Sequence, residues 1–371
     1  MQCARVTGVR ILHVSDTYPP IMGGIEAQVQ QLAQCQSRGN DVAVFTTTPA
    51  HPGDRGRSLE RDGEVAVFRL AARVPLRLPI SPFAQSHFRD LHRRLRPDVV
   101  HFHMGGMAPT AQLSHLAVAG QPAVLTIHSM WSEAAIAGYR ALSSATSFSR
   151  WGPVLSTVTA TAATRIHSAT GMPVRVLGCG TNTREWRVEP VAHQGVHVVS
   201  ATRFTERKRT LELLEILESA HGRAPHIRAT IAGEGPLLDV ARMRAARWDW
   251  LDLPGRLAPD ELRALYARSD IFALPSILEN FSVAALEAQC AGLAVVVRAE
   301  TGTADRITQG LDGYAVDSDD AMADAITGLA QSPEDLGAMK RYARENPPPF
   351  DWSDVTQRVS EAYAEALARW S

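Results

Sequence analysis

In one run of the chain, Ile271-Phe272-Ala273-Leu274-Pro275 is followed by Glu279-Asn280-Phe281-Ser282-Val283-Ala284-Ala285-Leu286-Glu287 and then by Ala294-Val295-Val296-Val297. The outer pieces are short, apolar and rich in strand-forming residues, and the middle piece runs into a helix over 282–291. Strand, loop, helix and strand in that order build a parallel sheet covered on both faces. The rhythm extends outward. Strands are expected over 196–201 and 227–232 with helices over 210–219 and 259–268. Before them come strands over 9–14, 41–46, 65–70, 98–102 and 123–127, with helices over 25–38 and 88–96. Weak patterning over 183–195 marks the expected linker. The expectation is an α/β protein of two Rossmann-like, doubly wound domains, 1–185 and 186–355, with a helix over 356–371 packing back on the first.

Composition agrees with an ordinary globular protein: 371 residues, 45% hydrophobic, 21% charged, formal charge −1. That balance excludes a whole-chain polycation built for nucleic acid. The small total hides a cancellation. Residues 1–185 carry 18 arginines and no lysine against 11 acids, a charge of +7, whereas 186–371 stand at −8. Cys3, Cys35, Cys179 and Cys290 lie far apart with no CxxC spacing, which fits a reduced, cytoplasmic chain better than a disulfide framework. The run over 9–14 is too short for a signal core and reads as a strand. The longest stretch without acids, lysine or arginine, 99–132, is broken by Gly105-Gly106, Pro109 and Gly120-Gln121-Pro122. No membrane-spanning helix is expected.

Ligands of open α/β sheets bind beyond the carboxyl ends of the strands, so residues there carry most weight. Gly23-Gly24 follows the first strand and opens a helix, and reads equally as a tight turn or as an anion cradle. Arg203 and Lys208 follow the strand over 196–201. The chain has only two lysines, Lys208 and Lys340, beside 36 arginines, so a lysine kept here points to a compact ammonium at work. Ser282 or Asn280 can cap the helix after Glu279, leaving the amides of Phe281, Ser282 and Val283 to face a ligand. Glu279 and Glu287 then reach different parts of one ligand, or serve as capping and surface acids. His101 and His103 share a strand face, but no third metal ligand of suitable spacing is legible, so packing or ligand hydrogen bonding is the better reading. His128 and His13 each end a strand. No GxxxxGK, GxSxG or HExxH occurs, Gly233-Glu234-Gly235 lacks the third small residue of a dinucleotide fingerprint, and Asp317-Ser318-Asp319 reads as a helix start.

In order, these residues resemble glycosyltransferase family 4 of the GT-B enzymes across nearly the whole chain. His13-Val14-Ser15-Asp16-Thr17-Tyr18-Pro19-Pro20 with Gly23-Gly24-Ile25-Glu26 is similar to its N-terminal glycine loop, and Arg203 with Lys208 to its basic pair. Gly233-Glu234-Gly235-Pro236 and Gly255-Arg256-Leu257 are similar to segments around its nucleotide pocket, and Glu279 to Glu287 to its E-x7-E signature. The resemblance implies a GT-B fold whose two Rossmann-like domains face each other across a cleft, the first for acceptor, the second for a nucleotide-diphosphate sugar. By that likeness Glu279 holds donor-sugar hydroxyls and Glu287 the ribose. Arg203 and Lys208 neutralise the departing diphosphate, assisted by Gly23, Gly24 and the amides of Phe281, Ser282 and Val283. Gly233, Glu234, Arg256, Leu257 and Asn280 join the donor site. His128 approaches the sugar, and His13, Tyr18, His103 and Trp131 stand on the acceptor side. The family retains anomeric configuration, a leaving phosphate oxygen taking the acceptor's proton, and the likeness implies no metal and no cofactor beyond the sugar nucleotide. Gly178-Cys179-Gly180-Thr181-Asn182, Thr202, Asn280-Phe281-Ser282 and Asp305 depart from the family's commonest residues, which bears on donor identity.

The expected activity moves a hexosyl or N-acetylhexosaminyl unit from a UDP- or GDP-sugar to a hydroxyl of a natural product, cyclitol, glycan or lipid-linked acceptor. Two other readings stay open: a GT-B-shaped UDP-sugar epimerase, which would need no acceptor, and a catalytically silent sugar-nucleotide-binding protein. The intact Arg203, Lys208, Glu279 and Glu287 argue against silence. Lys208→Ala and Glu279→Ala are each expected to abolish most turnover with little change in melting temperature. The apolar loop over 73–83 precedes a basic helix with Arg89, His92, Arg93, Arg94 and Arg96. It reads as an acceptor loop beside a solvated face, or as peripheral contact with an anionic inner membrane face.

Overall fold

A computed structural model describes residues 8–21, 23–71, 84–105, 114, 120–146 and 152–370, with 141–146 described by backbone alone. The apolar loop over 73–83, Cys3, Gly106 and Pro109 lie outside the described residues. The chain divides into one unit of Met1–Gly180 with Trp352–Ser371 and a second of Thr181–Asp351.

The first unit runs β1 (Arg10–Ser15), α1 (Gly24–Ser37), β2 (Asp41–Thr46), β3 (Gly56–Asp62), β4 (Val65–Ala71), α2 (Ala84–Leu95), β5 (Val99–Met104), β6 (Ala123–Ile127), α3 (Glu133–Thr146), β7 (Val154–Thr157), α4 (Ala160–Thr170) and β8 (Arg175–Val176). Its sheet order is β3-β4-β2-β1-β5-β6-β7-β8. Every pairing is parallel except β3 with β4. Sequence patterning misses β3 because this edge strand buries almost nothing: its one large apolar residue, Leu59, is 63% exposed.

The second unit runs β9 (Val196–Ala201), α5 (Thr210–Arg223), β10 (Ile227–Ala232), α6 (Leu238–Ala245), β11 (Leu251–Gly255), α7 (Pro259–Ala267), β12 (Ile271–Leu274), α8 (Val283–Cys290), β13 (Ala294–Arg298), β14 (Gly313–Val316), α9 (Asp319–Gln331) and α10 (Pro333–Glu345). Its order is β11-β10-β9-β12-β13-β14, parallel throughout. Strand order reverses between β1 and β5 in one unit and between β9 and β12 in the other. These switch points are where doubly wound sheets open a crevice for ligand.

Successive residues of one strand serve opposite faces of the second sheet. Val198 belongs to one apolar cluster with Leu213, Leu217, Ile231 and Met322, while Val199 belongs to another with Phe272, Leu274, Tyr266 and Leu286. Each fully buried aliphatic side chain of this kind is worth about 1.5–3 kcal/mol. The weakly patterned stretch over 183–195 is not a bare tether. Trp186 is buried against Tyr266, ring centroids 5.7 Å apart, and belongs to the second unit's core.

The first unit's sheet is less uniform. Leu12, Val14, Val100, Phe102, Met104, Leu125 and Leu155 fill an apolar cluster on one face. The alternate positions His13, His101, His103, Thr126 and Ser156 lay a buried polar stripe on the other. The last helix, α11 (Trp352–Ala368), returns to this unit and buries Val355, Val359, Ala362, Tyr363 and Ala366, the spacing of a single helix face.

Candidate active site

Two loops at the β9/β12 switch point are stitched together. Beyond β9 the chain makes a short 3-10 turn, Glu206–Lys208, and Arg209 adopts φ +54°, a left-handed conformation costly for a residue with a Cβ. That conformation is held from several sides. Arg209 grips Asp319 with both terminal nitrogens (2.9 and 2.7 Å) and donates to the Pro275 carbonyl at 3.3 Å. Arg298 donates to the same Asp319 at 3.0 Å. Arg207 donates to the Leu278 carbonyl at 3.0 Å. The result delivers the Lys208 ammonium onto the Glu279 carboxylate as an ion pair, with the two side chains only 17% and 9% exposed. Two groups widely separated in sequence thus meet at one point. Asp319 and Arg209, which pattern reading passes over, set that meeting.

The helix after Glu279 is capped by Ser282, whose Oγ accepts from the Ala285 amide at 3.2 Å. The expectation of three amides facing a ligand needs correcting at Ser282: its N–H already donates to Thr303 Oγ1 at 3.3 Å. The Phe281 ring is also occupied, under the Arg306 guanidinium at 4.3 Å and edge-on to Phe350. Asn280 is buried and Val283 half-buried at the same helix start. Glu287 lies one turn into α8, where burial pushes its carboxyl up to about 8 despite the opposing Arg263 charge. Asp317-Ser318-Asp319 behaves as a helix start, Ser318 capping α9 by accepting from Ala321 at 3.0 Å. The Asp319 carboxylate is spent on Arg209 and Arg298.

The loop carrying Gly233 and Glu234 packs directly on the strand end that carries Arg203. Phe204 donates to the Glu234 carbonyl at 2.9 Å, and Gly233 to the Gly255 carbonyl at 2.8 Å, just before Arg256 and Leu257. A Cβ at Gly233 would stand 1.8 Å from the Thr202 carbonyl, and one at Gly235 2.3 Å from that of Phe204, with φ at +140° and +153°. Only glycine fits this approach. Arg203, Glu234 and Arg256 are exposed along this rim, and Leu257 packs inward.

In the first unit, Gly23 stands before α1 with no side-chain cap, and the Glu26 carboxylate lies over it, where negative charge is favoured. A Cβ at Gly24 would meet nothing within 4 Å. The four side chains expected to touch an acceptor are all buried. Tyr18, 1% exposed, donates its hydroxyl to Asp62 at 2.9 Å, and Trp131 stacks on Tyr139 with centroids 4.1 Å apart. His13 and His103 bond to each other at 2.9 Å. His128, at the end of β6, is partly exposed.

Parallel pairing places His13 beside His101, the third histidine that sequence spacing hides. One ring nitrogen from each of His13, His101 and His103 lies within 4.8 Å of the others, a donor set suited to zinc or copper. All six ring nitrogens are already engaged, however. His13 bonds His103 and Gln36, His103 also bonds His128 (3.0 Å), and His101 bonds Tyr363 (2.8 Å) and Thr126 (2.7 Å). A cation here would have to dismantle that network. Burial pulls His13 and His128 down to about 4, and holds His101 and His103 well below the ordinary value.

Comparison with known proteins identifies the family and the fold. Residues 22–185 match the family described as Glycosyltransferase Family 4, and residues 183–346 match Glycosyl transferases group 1. A GDP-mannose:cellobiosyl-diphosphopolyprenol alpha-mannosyltransferase of Xanthomonas campestris is 25% identical, the match covering 97% of each chain. A GDP-mannose-dependent alpha-(1-6)-phosphatidylinositol monomannoside mannosyltransferase of Mycobacterium tuberculosis is 27% identical over 91% of this chain and 93% of its own. In fold, the chain is similar to sucrose-phosphate synthase of Thermosynechococcus elongatus, with TM-score 0.75, 18% identity and coverage of 97% and 99%. It is also similar to HepE of Anabaena, solved with UDP and glucose, with TM-score 0.72, 16% identity and coverage of 96% and 99%.

Proposed function

The chain belongs to glycosyltransferase family 4 and has the GT-B fold of two Rossmann-like units, and on that premise we propose that it moves a hexosyl or N-acetylhexosaminyl unit from a nucleotide-diphosphate sugar to an acceptor hydroxyl, with retention and without a metal. The observation that carries this reading is the Lys208–Glu279 pair, assembled by two loops at the second unit's switch point. In this reading the donor separates the two charges. Lys208 and Arg203 meet the diphosphate, Glu279 takes hydroxyls of the sugar and Glu287 the ribose, while the amides of Phe281 and Val283 and the loops at Gly233 and Arg256 frame the nucleotide. Leaving-group charge grows in the transition state, so cations already in place there lower the barrier. A diphosphate oxygen that gains charge as the glycosidic bond breaks is basic enough to take the acceptor's proton. Gly24 and the α1 amides assist it, and His128 serves the transferred sugar.

GDP-mannose is the first donor to test, because the two full-length mannosyltransferase relatives are named for it; UDP-glucose and UDP-N-acetylglucosamine follow, on the strength of the UDP-bound neighbours. A lipid-linked acceptor at a membrane's inner face is supported by the first unit. Arg89, Arg93, Arg94 and Arg96 are exposed on and just after α2, and Arg10, His92, Arg93 and Arg96 line one open hollow. Among the described residues, no helix is long and apolar enough to cross a membrane. A thermal-shift screen of sugar nucleotides, followed by transfer assays with each hit, tests the reading. A donor that raises the melting temperature and is consumed only with acceptor supports it; donor conversion without acceptor would favour an epimerase.

A further inference from the structure

The buried polar stripe of the first unit is one continuous hydrogen-bonded chain, and its direction turns on where the Ser156 hydroxyl proton goes. Ser156 donates to the Leu125 carbonyl at 3.2 Å, and a carbonyl can only accept. Ser156 Oγ also lies 2.7 Å from Thr126 Oγ1, where either hydroxyl can donate; with the Ser156 proton on the Leu125 carbonyl, Thr126 donates to Ser156 and His101 Nε2–H donates to Thr126 (2.7 Å). His101 Nδ1 then accepts, and takes the Tyr363 hydroxyl proton at 2.8 Å. The Tyr363 oxygen in turn accepts from the Gln36 amide at 3.2 Å, which turns the Gln36 Oε1 toward His13 Nε2–H at 2.8 Å. His13 Nδ1 accepts from His103 Nε2–H (2.9 Å), and His103 Nδ1 accepts from His128 Nε2–H (3.0 Å).

We infer that this chain, anchored at the Leu125 carbonyl, sets the tautomer of His128, and that Tyr363, Gln36, His13 and His103 are positioning residues for the sugar-transfer site. Neutral imidazoles carry a single ring proton, and burial keeps all four histidines neutral at pH 7. The two ends differ in setting. Ser156 and Thr126 are sealed inside, whereas His128 stands partly exposed at the carboxyl end of β6, beside a cavity of about 20 Å³ also lined by His101, His103 and Thr126. Flipping the Gln36 amide would reverse every proton from His13 to His128, so the network has two discrete states, and the Ser156–Leu125 bond selects one. His128 is left with Nε2–H pointed inward and Nδ1 as its acceptor atom. Tyr363 lies on α11, so the chain's last helix reaches the crevice through this relay.

The catalytic half of the inference rests on the role given to His128 above; the tautomer half does not, and is measured without substrate. In protein labelled with 15N-histidine, long-range proton–nitrogen correlation identifies the protonated nitrogen of each neutral ring, and His128→Gln assigns its resonances. The expected wild-type result is an Nε2–H His128. Tyr363→Phe, which removes the hydroxyl and keeps the ring, and Ser156→Ala, which removes the anchor, are each expected to give mixed tautomers. A wild-type His128 carrying its proton on Nδ1, or a tautomer unmoved in both variants, would overturn the inference. Tyr363→Phe is also expected to lower kcat about tenfold, the value of one hydrogen bond, with donor KM within about twofold. A shifted tautomer with unchanged kcat would overturn the positioning role alone. Failure of the transfer reading would show differently, as wild-type protein that transfers no sugar.

Discussion

Removing either member of the Lys208–Glu279 pair should damage stability and turnover by separate amounts, and a double-mutant cycle separates them. The two side chains are 17% and 9% exposed, so the local medium is closer to protein than to water. Charges about 4 Å apart at an effective dielectric near 20 attract by about 4 kcal/mol, part of which desolvation takes back. Truncating one partner strands the other; for fully buried pairs that costs about 3–5 kcal/mol, and the residual exposure here brings it to roughly 3. For a unit the size of Thr181–Asp351 this lowers the melting temperature by about 6–12 °C. Lys208→Met and Glu279→Gln should each show that loss. The double variant, with no stranded charge, should recover most of it. This replaces the expectation from sequence alone, which foresaw little change in melting. Turnover should behave otherwise: each single variant should lose about 10²–10³ in kcat, and the double should recover nothing. Thermal melts of the four proteins and transfer assays with a saturating donor supply the measurements. Additive melting shifts would refute the energetic account of the pair, and a single variant turning over within about threefold of wild type would refute its role in transfer.

Gly24→Ala places its methyl in open space, so melting should hold or rise slightly while turnover falls, if a phosphate approaches that backbone; unchanged turnover would move the anion elsewhere. Glu287, pushed up to about 8 from 4.5, keeps its proton when folded over a range in which the unfolded chain has lost it. The resulting stability is complete below about pH 4.5 and is lost as pH rises through about 8, so Glu287→Gln should be more stable than wild type near pH 9, by about 5 kcal/mol at most, with the gap closing near pH 5. A gap that does not vary with pH would show that the carboxyl is not raised. Asp319→Ala frees the strained Arg209 and should raise donor KM more than an exposed acid-to-alanine change such as Asp320→Ala; equal effects would dismiss Asp319 as a support. Charge reversal at Arg89 and Arg94 should abolish co-sedimentation with anionic vesicles, and wild-type protein that stays in the supernatant would remove the membrane contact.

The fold was legible wherever burial on two faces leaves an unbroken apolar run, as in Ala294–Arg298, and illegible where it does not. β3 is an exposed edge, so no pattern marks it. Trp186 sits in a stretch without periodicity, and its packing on Tyr266 is a contact between parts of the chain far apart in sequence. Of the site, Arg203, Lys208, Glu279 and Glu287 were legible because strand ends in a parallel sheet place their loops in the crevice. Asp319 and Arg209 were not, since an acid in a first helical turn looks like any other.

What the sequence by itself determined is the layout: two doubly wound units, with charged residues at the carboxyl ends of named strands and an order of motifs that resembles glycosyltransferase family 4. What the tertiary structure decided is who touches whom. Lys208 and Glu279 are 71 residues apart and meet only because β9 and β12 are neighbours. His13, His101 and Tyr363 form one network only because β1 pairs with β5 and the last helix returns to cover their shared face. Local periodicity reports which face of an element is buried; register and the return of distant chain decide what it is buried against.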